Sequence, residues 1–173
     1  MGEDVGLSLV VAVGRRNEIG YKGGLLFRLK ADMAHFRAVT AGKPVVMGRK
    51  TWDSLPRRPL AGRANIVVSR QTDVPAPHAL VYSSVAAAIS VGKAIAAKVG
   101  KEEIGVIGGA ALYAACLPAA DRLWLTEVDA EAEADVFFPL FDRREWREAS
   151  AVRFEADDAN EHAFVIRELV RKS

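Results

Sequence analysis

Eight short apolar runs, each closed by turn residues, punctuate this chain, and that rhythm restricts it to folds built around a buried sheet. The runs cover residues 7–13, 45–47, 65–69, 79–82, 104–107, 122–128, 149–155 and 162–169. Helical segments fall between the early ones. Residues 29–40 stop before Gly42 and Pro44, and residues 50–55 stop at Pro56. Residues 84–99 open on a serine cap and end at Gly100, and residues 110–117 end at Pro118. Strand-helix alternation through two-thirds of the chain predicts right-handed crossovers and an α/β fold, with a central, mainly parallel eight-stranded sheet flanked by about four helices. The last third has strands without helices between them, which predicts antiparallel pairing at the C-terminal edge. No repeat or linker divides the 173 residues, so residues 1–173 read as one domain.

Composition narrows the partners. The net charge of +2 is too small to argue for nucleic acid or an anionic membrane. Its distribution is uneven. Residues 49–70 carry six basic side chains against Asp53, and residues 127–161 carry twelve acids against four arginines. A local basic segment on a near-neutral protein suits a small anionic ligand. One cysteine, Cys116, leaves no intrachain disulfide and no multi-cysteine metal site, which suits a reducing compartment. Met1-Gly2-Glu3-Asp4 is acidic where a signal peptide would be basic. The longest uncharged stretches, residues 74–92 and 104–120, contain Pro, so no spanning helix is expected. These features predict a cytoplasmic protein with no bound metal.

Three constellations could carry chemistry. Leu29, Asp32, Met33 and Phe36 share one helix face, setting a carboxylate in an apolar row. Asp32 there is either a solvated first-turn acid or a buried acid tuned by apolar walls to meet a multi-donor ligand. Gly108-Gly109 follows an apolar strand and precedes a helix, where backbone can approach a ligand closely. The pair lacks a G-x-G-x-x-G fingerprint and could equally be a tight turn. Gly48-Arg49-Lys50-Thr51 and Ser69-Arg70 follow two successive strands and should emerge on one sheet edge, where guanidinium and hydroxyl groups match a phosphate monoester. A solvated charged loop is the plain alternative. Walker, nucleophile-elbow and zinc-helix motifs are absent, and His35, His78 and His162 show no ligand spacing.

Taken in order, these pieces resemble dihydrofolate reductase. The matching segments are Val10-Val11-Ala12-Val13, Ile19-Gly20, Leu29-Lys30-Ala31-Asp32-Met33-Ala34-His35-Phe36 and Lys43-Pro44-Val45-Val46-Met47-Gly48-Arg49-Lys50-Thr51-Trp52. They continue with Leu60-Ala61-Gly62-Arg63-Ala64-Asn65, Val106-Ile107-Gly108-Gly109, Leu125-Thr126 and Asp135-Val136-Phe137-Phe138-Pro139. The resemblance implies reduction of 7,8-dihydrofolate by NADPH, with hydride delivered to C6 of the pterin and a proton to N5. Asp32 resembles the lone active-site acid, with Thr126 supporting it and Phe27 completing the catalytic set.

Val11, Ala12, Leu25, Met33, Phe36, Leu55, Leu60, Ile107 and Tyr113 would line the substrate site, and Arg63 would fork onto the substrate's glutamate carboxylate. Ala12, Ile19, Gly20 and Ile107 would surround the nicotinamide beside a cis Gly108-Gly109 turn continued by Ala110, Ala111 and Leu112. Gly48, Arg49, Lys50, Thr51, Ser69 and Arg70 would hold the phosphates, with Arg49 and Arg70 on the 2′-phosphate. A monomer open to antifolate inhibitors is the further expectation.

One departure stands out. Where the family carries Pro-Trp before the acid, this chain has Leu26-Phe27. Phe has no N–H to hold a water, and replacing Pro frees a backbone torsion, so a looser loop and altered antifolate affinity are expected. A same-fold pyrimidine reductase of riboflavin synthesis would explain the glycine pair and basic cradle but not Asp32 with Arg63. A binding protein without turnover would fit the Leu26-Phe27 departure.

Overall fold

A computed structural model describes residues 4–71 and 73–173, so Met1–Glu3, which bear on the targeting expectation, lie outside the described residues. Eight strands form the main sheet: β1 (Gly6–Val13), β3 (Val45–Gly48), β4 (Asn65–Val68), β5 (Leu80–Tyr82), β6 (Glu103–Val106), β7 (Arg122–Val128), β9 (Trp146–Phe154) and β10 (Phe164–Arg171). Their spatial order is β5-β4-β3-β6-β1-β7-β10-β9. From β5 to β7 every pairing is parallel, and β10 runs antiparallel to both β7 and β9. The helices are α1 (Lys30–Thr40), α2 (Arg49–Ser54), α3 (Val85–Lys98) and α4 (Ala110–Cys116).

The two faces of the sheet divide by residue parity, as a pleated strand requires. Leu7, Leu9, Val11 and Val13 of β1 join Val46, Ile66, Ile104 and Val106 in the main core with α3 and α4. Val45, Met47 and Val67 point the other way, onto buried Trp52 with Leu55, Leu60 and Ile107. A third cluster, Leu29, Val128, Phe164 and Ile166, underlies the start of α1. At the N-terminal edge of the strands, buried Glu103 accepts from Lys43 Nζ (2.9 Å) and Arg122 Nη1 (2.7 Å), pairing that offsets the cost of burying its charge. Ser84 caps α3, its Oγ accepting from Ala87 N at 3.0 Å.

Four strands depart from the sequence expectation. β2 (Glu18–Gly20) and β8 (Val136–Phe137) pair as a separate two-stranded ribbon, too short to show periodicity in sequence. β9 begins three residues before the run read at 149–155, and β10 starts two residues into the run read at 162–169. β9 is an edge strand exposed along almost its whole length, so burial does not fix its apolar alternation. No helix among the described residues is long and apolar enough to cross a membrane.

Candidate active site

The carboxyl ends of β1, β3, β4, β6 and β7 open on one side of the sheet, the place where open α/β sheets bind ligands. In the register, Ala12 of β1 lies beside Thr126 of β7, and Gly48 of β3 beside Val68 of β4. Asp32 projects from the first turn of α1 toward this edge. Thr126 Oγ1–H donates to its Oδ1 at 2.6 Å, the short distance of a hydrogen bond to a charged acceptor. Burial pushes the Asp32 carboxyl above its ordinary range, opposed by the Thr126 hydroxyl and by His35 nearby. Burial likewise holds His35 below its usual value, against the pull of Asp32. A small cavity of about 60 Å³ lies against Asp32, walled by Ala12, Ile19, Leu25, Leu26, Phe27, Leu29 and Met33. A single acid in an apolar niche, with its proton affinity raised by burial, is the chemistry this arrangement offers.

Next to it the β6–α4 turn comes close to other backbone. The Gly108–Gly109 peptide is cis, and Gly48 N–H donates to Gly108 O at 2.8 Å. Gly108 has φ +128°, and a Cβ there would lie 3.1 Å from Thr51 Oγ1, so only glycine serves. The helices that begin here, α2 after Gly48 and α4 after Gly109, have no side-chain cap. Their amide donors face the strand tips that also carry Arg49, Lys50, Thr51, Ser69 and Arg70, a donor set matched to phosphate. Arg49 lies 3.5 Å from Asp53, and Ser69 Oγ accepts from Gln71 N at 3.2 Å.

A dihydrofolate reductase model matches residues 6–171 of this chain. The chain belongs to the dihydrofolate reductase family. It is 42% identical over 160 residues to dihydrofolate reductase of Neisseria meningitidis serogroup A, covering 92% of this chain and 95% of that one. It is 43% identical over 157 residues to dihydrofolate reductase type 3 of Salmonella typhimurium, covering 91% and 93%. Its fold is similar to dihydrofolate reductase from Enterococcus faecalis complexed with NADP(H) and RAB-propyl, with TM-score 0.86, 28% identity and 96% of each chain covered.

Within this dihydrofolate reductase fold, the residues singled out in the sequence sort into groups. Asp32, Thr126, Ala12, Ile19, Leu25, Phe27 and Met33 gather around the acid, with Gly20 following Ile19 in β2. Leu25 and Met33 stay largely exposed. Leu55, Leu60 and Ile107 pack together over Trp52, and half-buried Phe36 sits a turn beyond Asp32 on α1. Val11 turns its side chain into the main core, which leaves only its backbone to face a ligand. Tyr113 is buried, and its hydroxyl donates to Val10 O at 2.7 Å. Burial also pushes its phenol well above the usual range. Leu112 is likewise in the core, while Ala111 is exposed. Arg63 uses two donors internally, Nη1 to Thr40 Oγ1 (2.9 Å) and Nε to Ala61 O (3.0 Å). Burial lowers its pKa, and so does Arg37, which places a second cation close by.

Sequence reasoning passed over Leu26, Leu29 and Arg37 as site residues. Leu29 was visible in the stripe that holds Asp32, and Arg37 falls one turn beyond Met33 on the same helix. Glu18 was unreadable: fully buried, its carboxylate accepts from Arg16 N (2.7 Å) and Ala132 N (3.1 Å) just before Ile19 and Gly20.

Proposed function

We propose that this chain catalyses NADPH-dependent reduction of 7,8-dihydrofolate to 5,6,7,8-tetrahydrofolate, with Asp32 as the acid. The observation that carries the reading is the Asp32–Thr126 pair set in an apolar niche beside the close Gly48–Gly108 approach. Asp32 presents an acceptor to the ring N–H donors of a pterin, and its raised proton affinity suits it to support protonation at N5. Thr126 fixes which oxygen faces the substrate by occupying Oδ1. Met33 and Phe36 wall the heterocycle and its aminobenzoyl extension. Arg63, with Arg37 beside it, offers a dicationic corner to the glutamate tail, and a guanidinium fork suits that carboxylate better than an ammonium.

The uncapped starts of α2 and α4, with Arg49, Ser69 and Arg70, fit the phosphates of NADPH, and Ala12, Ile19, Gly20 and Gly108 fit around its nicotinamide. Bound there, NADPH supplies the hydride for C6. Antifolates, flat and nitrogen-rich, would meet the same carboxylate. A pyrimidine reductase on this fold has no use for Asp32 with Arg63, so that reading falls behind. The test is loss of reduced-nicotinamide absorbance on adding dihydrofolate, with NADPH and NADH in parallel. Turnover with NADPH well above NADH is expected; binding of both ligands without turnover would leave only the non-catalytic reading.

A further inference from the structure

Helix α1 carries the acid but has no cap of its own. Its N-cap is Leu29, whose side chain accepts no hydrogen bond. Thr40, at the far end, is the one fully buried residue within α1; at the near end Leu29 and Ala31 pack on the Phe164 cluster, which seats the first turn but supplies no acceptor for its amides. The unpaired amides that open a helix must find acceptors elsewhere. Here they find them 129 residues away, in the turn between β9 and β10. Ala31 N donates to Asn160 Oδ1 at 3.0 Å, Lys30 N donates to Ala159 O at 3.2 Å, and Leu29 and Asn160 form an isolated antiparallel bridge.

Asn160 is buried, and both ends of its amide are committed. Asp157 Oδ1 accepts from Asn160 N (2.8 Å), Asn160 Nδ2 (3.2 Å) and Ala159 N (2.8 Å). Asp157 N in turn donates to Asn160 O at 2.8 Å. The carboxamide therefore has one orientation, with its oxygen aimed at the residue immediately before Asp32. Asp32 is thus fixed from two directions, its carboxylate by Thr126 and its backbone by the 157–160 turn.

We propose that Asn160, oriented by Asp157, is a positioning residue for the Asp32 acid, acting as the cap that α1 lacks. This rests on the reading of Asp32 given above. Removing the acceptor lets the first turn of α1 fray and shifts the carboxyl relative to the substrate, and a displacement of about 1 Å at a reacting group costs up to ~10²-fold in rate. In the sheet, β1 and β7 stand between the β3, β4 and β6 tips, which carry the cofactor residues, and the strands this turn joins.

The test compares wild type, Asn160→Ala, Asp157→Ala and the exchange of Asp157→Asn with Asn160→Asp. The exchange keeps an acceptor for Ala31 N and reverses the polarity of the side-chain bond between the two positions. Asn160→Ala is expected to lower kcat roughly 10- to 100-fold while the Kd for NADPH moves less than about twofold. Asp157→Ala, at an exposed position, should show the same pattern more weakly, and it decides the matter if Asn160→Ala does not fold. The exchange should recover most of kcat. A lowered Tm with kcat unchanged in both single variants, or an exchange that recovers nothing, overturns the proposal. Absence of turnover in wild type overturns the underlying reading instead, so the two failures are distinguishable.

Discussion

Replacing Asp32 by Asn separates the acid's chemistry from its architecture. Asn keeps an Oδ1 acceptor for the Thr126 hydroxyl, now 2.6 Å from the carboxylate, so the local scaffold survives. What disappears is the capacity to hold and release a proton, a contribution of 10²–10⁴-fold, or about 3–5 kcal/mol of barrier. Turnover at neutral pH should fall by that factor, while the Kd for NADPH, measured by fluorescence titration, should change less than about twofold.

Stability carries an independent sign. Burial raises the carboxyl of Asp32 in the folded chain above its unfolded value, so the native state binds the proton longer. Raising pH from the ordinary aspartate value through the raised native value therefore erodes wild-type stability, and Asn escapes that loss. The variant should match wild type below this window and exceed it above, each kcal/mol recovered adding ~2–4 °C to Tm in a domain of this size. Turnover retained within tenfold of wild type, or equal losses of turnover and NADPH affinity, would refute the role given to Asp32.

Replacing Arg49 and Arg70 together by Ala should weaken NADPH ~10- to 100-fold and NADH less than about threefold, since only the former carries the extra phosphate; equal weakening in parallel titrations would reject the assignment. Restoring Leu26→Pro with Phe27→Trp should tighten antifolate inhibition by about three- to tenfold through the recovered indole donor and lowered loop entropy, read as inhibition constants; unchanged constants would count against it. Gly14→Ala places a Cβ 2.3 Å from Glu18 Oε1, so the buried carboxylate must move and the fold should lose ~1–3 kcal/mol in thermal unfolding. Burial works to raise the Glu18 pKa but is outweighed by the amides of Ala132 and Arg16, which hold it low. The stability it provides is therefore present above the ordinary glutamate value and fades as pH falls. Glu18→Gln should accordingly differ from wild type at neutral pH and converge with it in acid.

The parts of the fold legible in sequence are those where burial acts on both faces of a strand. β7 coincides with the run at residues 122–128, and β3, β4 and β6 match to within a residue or two at each end, because runs such as Val45-Val46-Met47 have no solvent face to interrupt them. β9 slipped because solvent lies along it, and the β2–β8 ribbon vanished because its strands have three and two residues. The same contrast governs the site. Asp32 could be placed on an apolar helix face from its spacing to Leu29, Met33 and Phe36, since those neighbours are local. Glu18 and Asn160 could not, because their partners Ala132 and Ala31 lie more than a hundred positions away, and Asp157 acts only through Asn160.

The Leu26-Phe27 pair acts where these local and distant constraints meet. Phe27 packs edge-on to His162 with ring centroids 5.6 Å apart and joins the Leu29–Phe164 cluster, while Arg28 N donates to Glu161 Oε1 at 3.0 Å. The C-terminal end of the loop is thereby tied to the same β9–β10 turn that caps α1. Its other end is tied to β8, with Asp135 N donating to Gly20 O at 3.0 Å and Lys22 N to Asp135 Oδ2 at 3.1 Å. Between these anchors lie Gly23, with φ +78°, Gly24, and Leu25, which is 86% exposed. The niche beside Asp32, about 60 Å³ and walled in part by Leu25 and Leu26, is smaller than the several hundred Å³ of a typical small-molecule site, so a ring larger than the niche must move that wall. Gly24 is held to Tyr21 by two backbone hydrogen bonds (3.0 and 3.3 Å), which leaves Leu25 and Leu26 as the stretch between the ties. In this chain, therefore, Leu25 and Leu26 are divided from Lys30, the first residue of α1, by three residues, and two of these, Phe27 and Arg28, are tied to the β9–β10 turn that caps the helix.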